Sequence, residues 1–277
     1  MILPKVNVER ATKLITRRLR WYIFEYAKKR AGIIGVSGGI DSAVTAFLTS
    51  RALGKENTFC YILPSSSTPK EDIDDAVSVI ERIGVPRNNW EIINISEIVN
   101  VFKKTLGKMP RKDLGNIMAR VRMIILHQRA SKHNGLVIGT GDKSELLIGY
   151  FTKFGDGGVD LLPIGGLYKT HVRQLAEYLG VPERIIRKPP SPRLWPGQTA
   201  EGEIGLSYEV IDDILYLRFE EWLPEEEIAK KLGLSSEIVN KIIRMVKTTQ
   251  HKRLPPEIFH IGFRDLGSDW RYPRQWF

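Results

Sequence analysis

Cysteine is almost missing: Cys60 is the single one in 277 residues. No intrachain disulfide and no thiolate metal cluster can form from it. It lies in an apolar run, Thr58 to Leu63, which reads as a buried strand, so a core thiol is expected and not a reactive one. Long apolar runs are missing too. None approaches the ~20 residues that span a bilayer, and the start Met1-Ile2-Leu3-Pro4-Lys5 has no signal-peptide apolar region. A cytoplasmic chain with no membrane partner is expected. No internal repeat, low-complexity tract or long basic tail occurs. Neither of the commonest nucleotide motifs is present: no Lys follows the glycines near residue 38, and there is no Gly-x-Gly-x-x-Gly.

What is present is an ordinary globular composition, 42% hydrophobic and 27% charged. The length suffices for one large domain, and a single domain over 1–277 is expected, with 255–277 an aromatic-rich irregular tail. The net charge is +10, which fits a nucleic acid, a polyanionic small substrate or a plain surplus of surface Lys and Arg. The basic residues are scattered in short clusters, Arg17-Arg18-Arg20, Lys28-Lys29-Arg30 and His251-Lys252-Arg253. That scatter weighs against nucleic acid as the partner.

The most informative stretch is Gly35-Val36-Ser37-Gly38-Gly39-Ile40-Asp41-Ser42. It joins an apolar run, Ala31 to Ile34, to a helical run, Ser42 to Leu53. A strand–turn–helix junction presents backbone N–H groups and a favourable helix terminus to an anion. Gly38 and Gly39 leave room for a phosphate, and Ser37 and Ser42 add hydroxyls. Asp41 beside a phosphate makes sense with a cation between them, which points to Mg²⁺. A plain glycine turn would not need the Ser, Asp and Ser at those offsets.

Taken in order, apolar residues at 8, 11, 15, 19, 22 and 26 predict an amphipathic helix, with Asn7 as its cap and Gly32 as its stop. Strands are predicted at 31–36, 58–63, 90–95 and 135–138, and helices at 42–53, 69–83, 96–106 and 113–133. The second half is mostly helical, at 171–179, 208–219, 225–232 and 236–247, with a proline-rich loop at 188–197. Alternating strands and helices predict an α/β fold: a doubly wound, mostly parallel sheet with helices on both faces and a helical C-terminal part. Ligands in such sheets collect at the carboxyl ends of the strands. The glycine turn and Gly139-Thr140 both lie at such ends, so they are expected to face one site.

Ser37-Gly38-Gly39-Ile40-Asp41-Ser42 resembles the signature of the ATP pyrophosphatases, which cleave ATP to AMP and pyrophosphate. Further motifs narrow this: Gly139-Thr140, Ser144-Glu145, Gly149-Tyr150, Thr152-Lys153, Gly155-Asp156, Asp160, Pro163-Ile164 and Lys169-Thr170. Others are Asn116, Ala119-Arg120-Val121-Arg122-Met123, Pro190-Ser191, Leu194 to Thr199, Glu203 to Tyr208, and His251-Lys252-Arg253. In this order the set resembles the NAD synthetase family, from about residue 35 to 253. The resemblance implies a five-stranded sheet of the adenine nucleotide alpha hydrolase-like type. It implies ATP-dependent amidation of deamido-NAD⁺ to NAD⁺ with ammonia, through an adenylated nicotinate carboxylate. By motif position it puts ATP on residues 35–42 (Gly35, Val36, Ser37, Gly38, Gly39, Ile40, Asp41, Ser42), Thr140, Lys169 and Ser191. Mg²⁺ falls to Asp41 and Glu145, and deamido-NAD⁺ to Arg120, Lys153, Asp160, His251 and Lys252. Asp41, Glu145 and Lys169 become the catalytic candidates. Ser191 stands where many members have Thr, and the hydroxyl is kept. The family implies a homodimer. Only 34 residues precede Gly35, which leaves no room for a glutaminase domain before it, so direct use of ammonia is expected.

Taken singly, each of these residues has a plainer reading: Arg120 and Arg122 as solvated helix charges, Glu145 as a helix-dipole partner, Lys153 and Asp156 as a loop ion pair, Asp160 as a turn residue. Jointly they would need many coincidences in a fixed order. Without the resemblance, the residues support Mg-ATP and an anionic cosubstrate. Two rivals remain: another ATP pyrophosphatase, of the GMP synthetase or tRNA-thiolating kind, and a DNA-binding helix-turn-helix at 225–246. The lone Cys60 disfavours thiolation. Glu237, Asn240, Lys241 and Arg244 offer little for groove reading.

Overall fold

The computed structural model describes residues 1–191, 193–195 and 197–259. Most of the expected aromatic tail, with Phe263, Trp270, Tyr272, Trp276 and Phe277, lies outside the described residues, as do Pro192 and Pro196. The first half alternates strand and helix: α1 (Val8–Arg20), β1 (Ala31–Gly35), α2 (Ile40–Leu53), β2 (Thr58–Ile62), α3 (Lys70–Ile83), β3 (Trp90–Ile92), α4 (Ser96–Leu106), α5 (Arg111–Lys132) and β4 (Gly135–Ile138). The remainder is helical: α6 (Lys143–Ile148), α7 (Lys169–Leu179), α8 (Glu183–Ile186), α9 (Ala200–Ile204), α10 (Tyr208–Phe219), α11 (Glu225–Leu232) and α12 (Ser236–Thr248). None of the described helices is long and apolar enough to cross a membrane.

The sheet is parallel in the order β3-β2-β1-β4. Four strands are present among the described residues where five were expected. The fifth position is held by a single parallel bridge, Ile138 to Leu161. Pairing stops there because Pro163 has no N–H to continue a ladder and the chain turns at Leu162–Gly165.

Helices cover both faces. On one, α1, α2, α3 and α7 bury Ile34, Val44, Leu48, Cys60, Ile80, Val172 and Leu175. On the other, α4 and α5 close over Ile33, Tyr61, Val99, Val121 and Val137. A separate cluster joins α6 and α9 to α12 around Tyr208, Ile211, Leu215, Ile228 and Ile242. Helix α2 is buried nearly all round, as expected of a helix wedged between the sheet and other helices.

Two local expectations are corrected. The first helix is regular only to Arg20; Trp21–Tyr26 widens into a π-helical turn, with Ala27 N–H donating to Tyr22 C=O and Lys29 N–H to Ile23 C=O. The wider turn accompanies the stacking of Tyr26 on Trp21 at 5.5 Å and its tilted contact with Tyr22 at 4.9 Å. Gly32 does not stop that helix; it lies inside β1. A Cβ there would come within 2.8 Å of the Thr49 methyl and 2.9 Å of Leu53, so glycine lets α2 settle on the strand. Gly32→Val should therefore lower stability by about 1–3 kcal/mol through overpacking, although valine favours strands. A denaturant midpoint at or above that of the unmutated chain would contradict this packing argument.

Candidate functional site

In the order β3-β2-β1-β4, the chain leaves β1 toward β2 on one side, while β4 adds on the other. The crevice at the carboxyl ends of β1 and β4 is therefore the switch point where such sheets bind ligands. A cavity of about 1000 Å³ opens there. Its wall includes Gly35, Val36, Ser37, Gly39, Ile40, Asp41 and Ser42 from the glycine turn, and Gly139 and Thr140 from the end of β4. The two segments, a hundred residues apart in sequence, do face one site.

The turn is held by its own serines. Ser37 N–H donates to Ser42 Oγ at 3.1 Å, Ser42 Oγ donates to Gly39 C=O at 2.9 Å, and Gly39 N–H donates to Ser37 Oγ at 3.3 Å. Gly38 has φ of +80° and sits against the backbone of Asp72, where a Cβ would overlap the Asp72 carbonyl oxygen. This position requires glycine.

Beneath the cavity lies a buried ion cluster. Lys169, the first residue of α7, is fully buried. Its Nζ lies 2.8 Å from Asp41 Oδ2, 2.7 Å from Asp142 Oδ2 and 2.9 Å from Glu145 Oε1. Asp142 caps α6, its side chain accepting from Glu145 N–H at 2.8 Å. A further carboxylate, Asp212 of α10, accepts from Ser144 Oγ at 2.5 Å and from Thr170 N–H at 2.9 Å, and Lys169 N–H donates to Ser144 Oγ at 2.9 Å. Asp212 thereby fixes the starts of α6 and α7 relative to each other.

One ammonium among three carboxylates leaves an excess of negative charge. Burial raises the Asp142 carboxyl to about 6, with Lys169 opposing and Asp41 adding to the rise. Burial, with Asp142 and Asp41, likewise holds Glu145 well above the usual range against the pull of Lys169. Lys169 itself is held well above its ordinary value: burial alone would lower it, and its three carboxylate neighbours outweigh that. Asp41, Asp142 and Glu145 each offer an oxygen within 4.8 Å of the others, and Asp41 Oδ1 is buried without a hydrogen-bond partner. Hard oxygen donors with unbalanced negative charge fit a divalent cation of the Mg²⁺ kind.

Another part of the lining is basic and aromatic. Arg120, Lys153, His251 and Lys252 all line the cavity, with Asn116, Tyr150, Asp156 and Trp195, and Ser191 lines it from the proline-rich loop. Arg120 reaches the Lys153 carbonyl at 3.4 Å. Lys252 donates to the carbonyls of Gly149 and Phe151, both at 2.8 Å. Arg253 ties the end of α6 to α12 through Leu146, Leu147 and Val246 carbonyls. Lys169 and Gly38 stand just behind the wall. Asp160 is exposed outside it, its carboxylate accepting from Val137 N–H at 2.8 Å.

Several site residues escaped the sequence reading. Asp142 was legible in principle, because Asp142-x-x-Glu145 is a capping pattern. Asp156, named as part of a family motif and as a loop ion-pair candidate but given no site role, is exposed to the cavity; its carboxylate accepts from Thr152 N–H at 2.8 Å. Tyr150 donates to Glu203 at 2.5 Å, joining two motifs that sequence alone left separate. Burial pushes the Cys60 thiol up to about 12, which makes it inert.

A parallel α/β sheet with a serine–glycine turn and a carboxylate cluster suited to a cation at its switch point is the arrangement of a nucleotide-binding protein. Comparison with known proteins narrows the class. The family described as NAD synthase matches residues 11–256, and the chain belongs to this family. It is 59% identical over 265 residues to an NH(3)-dependent NAD(+) synthetase of Sulfurisphaera tokodaii, covering 96% of this chain and 94% of the relative. A protein of the same description from Saccharolobus solfataricus is 55% identical over 271 residues, covering 98% and 96%. Among solved structures, NMN synthetase from Francisella tularensis superposes with a TM-score of 0.80 at 33% identity, covering 94% of this chain and 100% of that one. The NH3-dependent NAD synthetase of Campylobacter jejuni gives 0.77 at 29% identity, covering 92% and 100%.

The raised carboxyls make metal binding a function of pH. A cation in this cluster must displace the protons that Asp142 and Glu145 retain, so Mg²⁺ should raise Tm little at pH 5 and progressively more as pH passes about 6, the value for Asp142. Equal stabilisation at pH 5 and pH 7.5 would count against the carboxylate site.

Proposed function

We propose that this chain amidates deamido-NAD⁺ to NAD⁺ with ammonia, consuming ATP and releasing AMP and pyrophosphate. The observation that carries the reading is one cavity, at the top of the ~300–1,000 Å³ range of small-molecule sites, whose lining combines the glycine turn with a basic, aromatic surface. A carboxylate is a poor electrophile, so it must first be activated. Its oxygen attacks the α-phosphorus of ATP, the bond to the β-phosphate oxygen breaks and pyrophosphate leaves. Ammonia nitrogen then attacks the carbonyl carbon, AMP departs and the nitrogen loses a proton.

Residues 35–42, Thr140 and Ser191 hold the ATP. Asp41 and Glu145, with Asp142, hold Mg²⁺, which when bound offsets phosphate charge and eases departure of pyrophosphate. Lys169 keeps the three carboxylates in register and supplies positive potential behind the phosphates. Arg120, Lys153, His251 and Lys252 receive the dinucleotide and orient its nicotinate carboxylate toward the α-phosphate. Asp156, exposed on this wall, is placed to accept the proton lost from the attacking nitrogen.

The working form is a homodimer. Ile98, Val101, Phe102 and Leu106 of α4 and Ile124 of α5 are all exposed, an apolar strip of the kind that marks a protein interface. Asp160, outside the cavity wall of one chain, serves as a dinucleotide contact where a second copy extends the site.

Mixing enzyme, Mg-ATP, ammonium and deamido-NAD⁺ should give NAD⁺ and AMP in equal amounts. Release of ADP, or faster turnover of nicotinate mononucleotide than of the dinucleotide, would overturn the substrate assignment. Asp41→Asn should lower kcat/KM by roughly a hundredfold or more, the scale of losing one element of electrostatic stabilisation; near-normal turnover would remove Asp41 from the metal site. Light scattering should give twice the chain mass, and Val101→Glu should shift it toward the monomer.

A further inference from the structure

The cavity wall carries a second charge cluster beside the phosphate turn. Lys188 opens the proline-rich loop, and its Nζ bonds Asp72 Oδ1 at 2.7 Å and Asp75 Oδ2, while lying 3.4 Å from the Gly38 carbonyl oxygen. Arg193, five residues along the same loop, places Nε 3.2 Å from Asp72 Oδ2. Arg184 pairs with the other oxygen of Asp75. Asp72 is in the first turn of α3 and only 3% of its side chain is exposed; Lys188 is 16% exposed. Charges this buried stay only where they are paired.

Two backbone observations converge on the cluster. Gly38, at positive φ, rests against the Asp72 backbone so closely that no side chain fits between them. Arg193 holds φ of +49°, a conformation that costs a non-glycine residue energy and persists only where its surroundings enforce it. Ser191 Oγ, accepting from Arg193 N–H at 3.1 Å, and Asp72 enforce it. The far end of the loop is fastened separately: Gln198 Nε2 donates to Glu203 at 3.1 Å, and Tyr150 donates to the same carboxylate.

We propose that Lys188 and Asp72 are positioning residues for ATP: their ion pair clamps the proline-rich loop to α3 and pins the Gly38 carbonyl, so that the turn at 37–41 keeps the shape that receives the triphosphate. The proposal rests on reading that turn as the ATP site. Lys188 acts through Gly38, and its effect falls on ATP and not on the dinucleotide, because Lys188 bonds Asp72, Asp75 and Gly38 and none of Arg120, Lys153, His251 or Lys252.

Lys188→Met tests the clamp without stranding a charge, since Asp72 keeps Arg193 and Asp75 keeps Arg184. The KM for ATP should rise about tenfold, the scale of one lost charge-assisted hydrogen bond, with kcat and the KM for deamido-NAD⁺ changed less than about twofold. Affinity for a non-hydrolysable ATP analogue, measured by calorimetry, should weaken by the same factor. Lys188→Arg should restore most of it. Asp72→Asn should act in the same direction, and the double variant should be no worse than the poorer single one, as coupled partners require. Analogue affinity within about twofold of the unmutated chain, or a parallel loss in both substrates with a lowered Tm, would overturn the clamp. Calorimetry reads the clamp even if the unmutated chain makes no NAD⁺ from deamido-NAD⁺; that failure would refute the proposed reaction alone.

Discussion

The ammonium of Lys169 is the interaction on which the site depends. It is fully buried, and a buried cation without partners costs several kcal/mol even after the protein relaxes. Its three carboxylates come from the starts of two helices, α2 with Asp41 and α6 with Asp142 and Glu145, and the lysine itself from the start of a third, α7. These starts meet because β1 and β4 are neighbours. A shift of either strand would pull carboxylates off the lysine, so sheet register and charge pairing reinforce one another. Asp212 extends the constraint to the C-terminal helices by holding Ser144 and the Thr170 N–H together. The cluster thus links the nucleotide-binding sheet to the helical part, and it does so with negative charge to spare, which is the electrostatic condition for a divalent cation at the cavity floor.

Much of the fold could be read from the chain because its signals are local. The period of two in the strands, the 3.6-residue period in the helices and the glycine turn at 35–42 are short-range patterns. The carboxyl-end position of Gly139-Thr140 followed from topology, and it does share a cavity with the glycine turn. The failures are long-range. Gly32 looked like a helix stop, but its reason is a contact with Thr49 and Leu53 across the β1–α2 layer. A fifth strand was expected where one bridge at Leu161 exists. Asp142, Asp72 and Lys188 were passed over because their ion-pair partners lie between 27 and 121 residues away. No periodicity encodes such pairs.

The net charge of +10 finds a structural account in the same terms. His251-Lys252-Arg253 read as one basic triplet, yet its members do different things. His251 is exposed at the cavity, Lys252 bonds two carbonyls of the 149–151 segment, and Arg253 closes the carbonyl end of α6. The helix pair α11 and α12, whose spacing resembles a DNA-binding unit, has the apolar face of α12 buried against α10 and α6 through Val239, Ile242, Ile243 and Val246. One of the polar residues once considered for groove reading, Lys241, donates to the Ile204 carbonyl. The pair therefore works as a prop that carries residues 249–253 to the cavity.

That prop gives the two halves of the cavity a common frame. Thr249, at the end of α12, packs so tightly on Gly149 that a side chain there would collide with it. Gly149 ends α6, the helix that begins with Asp142 and Glu145. The six residues of α6 therefore lie between Asp142 and the contact that fixes the basic wall, a span of about 10 Å at the helical rise of ~1.5 Å per residue. In the proposed reaction the carboxylate oxygen must sit within about 3–3.5 Å of the phosphorus it attacks, so an error in either wall would appear directly in the distance between reacting atoms. A short, capped helix is the stiffest connector available over that span. On the proposed reading, the carboxylates offered to the cation stand at one end of α6 and the contact that anchors Lys252 and Arg253 at the other, so a single short helix spaces the two substrates.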